Sequence, residues 1–111
     1  MIVKKPSIYI YSYKPDEKIL REIFAGIEEN GVTYELFKNG TSEDDSDKLA
    51  YDAAQDSMLG SGIGVCGQEV ALQLKGLPAG QNVEASKAPT AEECRKIGAN
   101  SARAIKKMPL L

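Results

Sequence analysis

Residues Ser7-Ile8-Tyr9-Ile10-Tyr11-Ser12-Tyr13 are dense in strand formers and predict a first strand. Pro15, Asp16 and Glu17 follow and open a helix, with proline suited to its first turn and the acids to its positive dipole end. Ile19, Leu20, Ile23, Phe24 and Ile27 then recur at helical spacing as one apolar stripe. Asn30-Gly31 closes this helix, glycine being free to take a positive φ. Val32 to Phe37 predicts a second strand, and Asn39-Gly40 a turn. The acidic run Glu43-Asp44-Asp45 with Asp47 begins a second helix, whose buried side is Leu49, Ala50, Ala53, Ala54 and Met58.

Ile63 to Cys66 and Val70 to Leu74 predict two strands joined tightly at Gly67, with a short edge strand over 82–85. The last helix starts at Thr90, where Glu93 completes a capping box after Pro89. Cys94, Ile97, Gly98, Ser101, Ala102, Ile105 and Met108 share one side of it, small enough for close packing on a sheet, and Pro109 stops it. The order β-α-β-α-β-β-β-α predicts a three-layer α/β/α sandwich. Its sheet is mixed and mostly parallel, with about five strands, the fourth antiparallel to its neighbour.

At 111 residues the chain, 1–111, reads as one domain large enough for a core without disulfides or metal. The net charge of −2 gives no global positive field for nucleic acid or an anionic membrane. No apolar run reaches membrane-spanning length, and Lys4 and Lys5 are not followed by a signal-peptide core, so a cytoplasmic location is expected. Cys66 and Cys94 stand far apart and read as small buried apolar residues. The chain has no histidine, which removes Ser-His and Cys-His nucleophile activation and the commonest transition-metal ligand. No catalytic residue is assigned.

Three features invite chemistry. Gly60, Gly62 and Gly64 resemble a phosphate loop only weakly, because they precede or start a strand where such a loop feeds a helix. They read better as a bare strand face that lets a helix or another chain approach. The basic side chains Arg95, Lys96, Arg103, Lys106 and Lys107 lack interleaved aromatics, so they point to helix-end electrostatics or an acidic partner, not to nucleic acid. On the first helix, Glu29 lies about 200° around from Ile27, directly outward. Glu22 shares that line, while Ala25 and Gly26 are small residues on or beside the same surface. Gly26 costs a helix about 1 kcal/mol relative to alanine. Glu22, Ala25, Gly26 and Glu29 therefore form a candidate partner interface that keeps room for another backbone and presents a carboxylate to a cation.

Residues 23–32 with Tyr34-Glu35, residues 57–64, Leu77-Pro78 and residues 95–109 occur here in the order found in a known family. Together they resemble the small subunit of the reactivating factor for coenzyme B12-dependent diol and glycerol dehydratases. The resemblance implies an α/β fold like part of the dehydratase medium subunit. It implies pairing with a large, chaperone-like ATPase subunit, which holds the nucleotide, and exchange with the dehydratase medium subunit to release damaged cobalamin. It also implies that Glu29 reaches a divalent metal, Mg2+ or Ca2+, at the junction with the large subunit, with no cofactor bound by this chain alone. The lack of histidine and the segments 60–64 and 80–89 depart from the family pattern. Rival readings are a small-molecule-binding α/β module with its ligand at the carboxyl ends of the parallel strands, and a short medium-subunit-like component of a dehydratase.

Overall fold

In the computed structural model the described residues are 5–111; Lys4 lies outside them. The first strand, β1 (Ile8–Tyr13), divides its side chains between two cores. Ile8 and Ile10 enter the larger one, while Tyr9, Tyr11 and Tyr13 line the smaller one on the opposite face. Helix α1 (Glu17–Glu29) follows. Its cap is Asp16, whose carboxylate accepts from the N–H groups of Lys18 and Ile19. Pro15 thus precedes the cap and does not occupy the first turn. Gly31 ends the helix at a φ of +69°, as its lack of a Cβ permits.

Strand β2 (Tyr34–Phe37) and helix α2 (Ser46–Asp56) come next. They are followed by strands β3 (Ser61–Cys66), β4 (Glu69–Leu74) and β5 (Glu84–Ser86), and by helix α3 (Ala91–Ile105). The sheet order is β2-β1-β3-β4-β5. β1 is parallel to β2 and β3, β4 is antiparallel to β3, and β5 is antiparallel to β4. A two-residue turn at Gly67-Gln68, with Gly67 at φ +60°, forces the antiparallel pairing of β3 and β4. The mixed five-stranded sheet is as expected, and so are its layers: α1 and α3 cover one face and α2 the other.

The α2 face shows why the glycines of β3 are there. A Cβ on Gly62 would stand 2.1 Å from the Ala54 nitrogen, and one on Gly64 would stand 2.1 Å from the Ser46 carbonyl oxygen. Ala50, Ala53 and Ala54 are fully buried against this bare strand. Gly60 does not share the face; it lies in the turn before β3 at φ +74°. α2 begins later than the acidic run suggests, with Asp45 as its cap. Asp44 instead accepts from the Thr41 N–H in the preceding loop. Met58 falls beyond the helix and is 73% exposed, so it is not part of the buried side.

The capping box of Thr90 and Glu93 is present as read. α3 ends at Ile105, before Pro109, because the backbone at Lys107 turns to φ +57°. Met108 is consequently outside the helix and 40% exposed. Of the two cysteines, Cys94 is buried and Cys66 only half-buried. Among the described residues, no helix is long and apolar enough to cross a membrane.

Four weak acids tie stability to pH, the first being Cys66, which burial and then the charges of Glu69, Asp45 and Asp44 raise. Burial, then the carboxylates of Glu22, Glu93 and Asp16, push the Cys94 thiol up to about 11. Burial, then the hydrogen bond and charge of Glu28, push the Tyr34 phenol up to about 12. Burial and Asp56 raise Tyr11 further. In each case the folded value lies above the unfolded one, so folding favours the protonated form. The stabilisation is complete below the unfolded values of 9.0 for cysteine and 10.0 for tyrosine and fades as pH climbs through the folded ones. The urea midpoint is expected to decline from about pH 9 upward, with Cys94→Ala reducing the early part of the decline, to which Cys66 also contributes; a flat midpoint from pH 9 to 11 would contradict it.

Candidate docking face on the first helix

α1 is amphipathic in two senses. Ile19, Leu20, Ile23 and Ile27 seat it on the sheet, and a second contact line joins it to α3. The two helices run in the same direction, with Glu22 opposite Arg95 and Asn30 opposite Lys106. At their crossing the backbones almost touch. A Cβ on Gly26 would meet the Arg95 carbonyl oxygen at 2.1 Å, and one on Gly98 would meet that of Ile23 at 2.2 Å. Gly26 is buried there. The backbone for which it keeps room is α3 of the same chain, so Gly26 is not part of the outer surface. The small side of α3 is correspondingly shared. Gly98 serves the helix crossing, while the Ser101 carbonyl accepts a hydrogen bond from Ser61 on β3.

The other three interface candidates lie along one edge of α1. Ala25 is half-buried. Glu22 retains 23% side-chain exposure and is held by Arg95, whose Nη2 donates to Oε2 at 3.0 Å and to Oε1 at 3.2 Å. Glu29 is 59% exposed, and its Oε1 lies 3.5 Å from Arg95 Nε. The structure thus brings Glu22 and Glu29 together through Arg95, a residue that the sequence placed only within a generally basic helix. Neighbouring Glu28 is turned elsewhere and accepts from the Tyr34 hydroxyl at 2.7 Å. Two more members of the basic set are engaged within the chain: Arg103 Nε donates to the Pro109 carbonyl at 2.6 Å, and Lys106 donates to the Asn30 carbonyl.

Among the described residues no three His, Cys, Asp or Glu side chains are grouped to hold a metal ion. Glu29 is one of several exposed carboxylates, and by itself it suits Mg2+ or Ca2+ only if other ligands come from outside the chain. A cleft of about 560 Å³ opens at the carboxyl ends of β1 and β3, between the first turns of α1 and α3. Of its four charged side chains, the two acids serve the fold, Asp16 capping α1 and Glu22 holding Arg95, while Lys18 and Arg21 also line it.

The fold has counterparts among solved structures. One is a chain in a structure described as diol dehydratase-reactivating factor complexed with ADP and Mg2+. It is 27% identical with a TM-score of 0.88, over 97% of this chain and 99% of that one. Another belongs to a glycerol dehydratase reactivase, 26% identical with a TM-score of 0.84, over 96% of this chain and 97% of that one. Both are chains of nearly this length matched end to end, and they bear out the resemblance to the reactivase small subunit. The model of a family described as dehydratase medium subunit matches residues 5–111. Sequence and fold therefore agree over nearly the whole chain, which belongs to the dehydratase medium subunit family.

Proposed function

We propose that this chain is the non-catalytic small subunit of an ATP-dependent, chaperone-like reactivase of diol or glycerol dehydratase. It pairs with a large ATPase subunit and exchanges with the dehydratase medium subunit, so that damaged cobalamin can leave. The observation that carries this reading is the end-to-end match to reactivase chains, at 97% and 96% coverage of this one. A protein whose family is that of the medium subunit, but whose matched chains are reactivase components, is suited to stand in for one protein in the company of another. The same matches favour a reactivase subunit over a short component of the dehydratase itself. The small-molecule alternative would place its ligand in the cleft between α1 and α3, where Asp16 and Glu22 already serve the fold and Lys18 and Arg21 are the remaining charged side chains.

On this reading Glu29 faces the large subunit, with Glu22 and Ala25 beside it, and contributes one carboxylate to a divalent cation completed by the partner. Replacement of Glu29 with alanine leaves the isolated fold within about 0.5 kcal/mol of wild type, because the site is exposed and helical. Its affinity for the large subunit in magnesium falls roughly tenfold, the loss of one charge-assisted contact. Titration calorimetry with the purified large subunit measures it. Equal affinity of wild type and E29A, with and without magnesium, would reject the assignment of Glu29.

A further inference from the structure

Arg95 makes two unequal contacts. Its Nη2 reaches both oxygens of Glu22, at 3.0 and 3.2 Å, and Glu22 is mostly shielded. Its Nε stands 3.5 Å from a single oxygen of Glu29, which is mostly in solvent. The guanidinium springs from a fixed point, because the Arg95 carbonyl occupies the space left by the missing Cβ of Gly26. A firm anchor and a loose second grip thus come from one rigid helix crossing.

We propose that Arg95 is a positioning residue that holds Glu29 as a provisional counter-ion and makes cation capture depend on the partner. This rests on the reading of Glu29 given under Proposed function. An arginine cannot shed its charge. When a divalent cation and the partner's ligands arrive, the long Nε contact opens, and Arg95 remains neutralised by Glu22. No charge is orphaned by the exchange. The retained guanidinium would disfavour a cation at Glu29. One carboxylate beside one arginine is a poor cation trap, so the isolated subunit stays unloaded until further ligands are supplied.

The test divides the Kd for the large subunit in EDTA by the Kd in magnesium, so that a larger ratio means a stronger magnesium effect. In R95Q the ratio rises roughly tenfold, since the opposing charge is gone and the cation-free complex loses its substitute. R95K, which keeps the charge, stays near the wild-type ratio. In E22Q the ratio falls, because Arg95 loses its anchor and closes on Glu29. Thermal melting of the isolated variants separates these effects from misfolding. An R95Q ratio equal to or below wild type overturns the proposal, as does an equal loss of affinity in both buffers, the sign of a direct Arg95–partner contact. If E29A abolishes the magnesium effect while R95Q fails to raise it, only the role of Arg95 is lost. If E29A leaves the magnesium effect intact, the reading of Glu29 is lost as well.

Discussion

Gly26→Ala will destabilise the chain by about 3 kcal/mol, the upper range for overpacking a closed contact. The sign matters more than the size. At an exposed helical position the same change stabilises by about 1 kcal/mol, because alanine is the better helix former. Here the new methyl would fall 2.1 Å from the Arg95 carbonyl oxygen and 2.7 Å from the Ala99 nitrogen. Both are backbone atoms of α3, so no rotamer change relieves them and the helices must separate. Gly98→Ala meets the reciprocal obstacle at the Ile23 carbonyl and should cost about as much. Urea unfolding followed by far-ultraviolet circular dichroism measures both. A G26A variant more stable than wild type would show that α1 and α3 do not cross as described.

Gly64→Ala will have a comparable or larger effect, about 3 kcal/mol, by lifting the other layer off the sheet. Glycine inside a strand ordinarily weakens it by about 0.5–1 kcal/mol relative to alanine. At Gly64 that gain is outweighed, because a Cβ would stand 2.1 Å from the Ser46 carbonyl oxygen and 2.5 Å from the Ala50 nitrogen. Shifting α2 would also strain the hydrogen bond from the Tyr11 hydroxyl to Asp56, 2.5 Å long. Loss of near-ultraviolet tyrosine dichroism should therefore accompany the drop in urea midpoint. A Gly64→Ala chain as stable as wild type would mean that these glycines serve something other than helix approach.

These two sites also mark how far the sequence can be read. The glycines at 62 and 64 were legible as a bare strand face because strand periodicity assigns alternate residues to one side without further information. The capping box of Thr90 and Glu93 was legible because its two hydrogen bonds depend on residues three apart. Gly26 was misplaced for a physical reason. Hydrophobic periodicity locates the side of a helix that meets the sheet, but a glycine–backbone crossing contributes no apolar side chain to that signal. A second small residue, Gly98 in the last helix, was the available hint, yet nothing in one sequence pairs residues so far apart. The same holds for Arg95, whose partner Glu22 is 73 positions away. Its link to two carboxylates appears only once α1 and α3 lie side by side. The end of α3 was anticipated from Pro109, whereas the backbone at Lys107 ends it earlier through a left-handed residue that sequence does not single out.

Glu29 stands differently. Its outward direction follows from two helical steps past a buried isoleucine, and the fold places it 59% exposed. The surface around it is narrower than the sequence suggested, being Glu22, Ala25 and Glu29 without Gly26. The direct measurement of what that surface meets is the structure of this chain bound to a large reactivase ATPase subunit, in which the accessible area of the Glu29 carboxylate is determined. The expected result is that this carboxylate is covered by the second polypeptide and directed at a cation held between the two. A complex in which the edge of α1 from Glu22 to Glu29 stays open to water would contradict it.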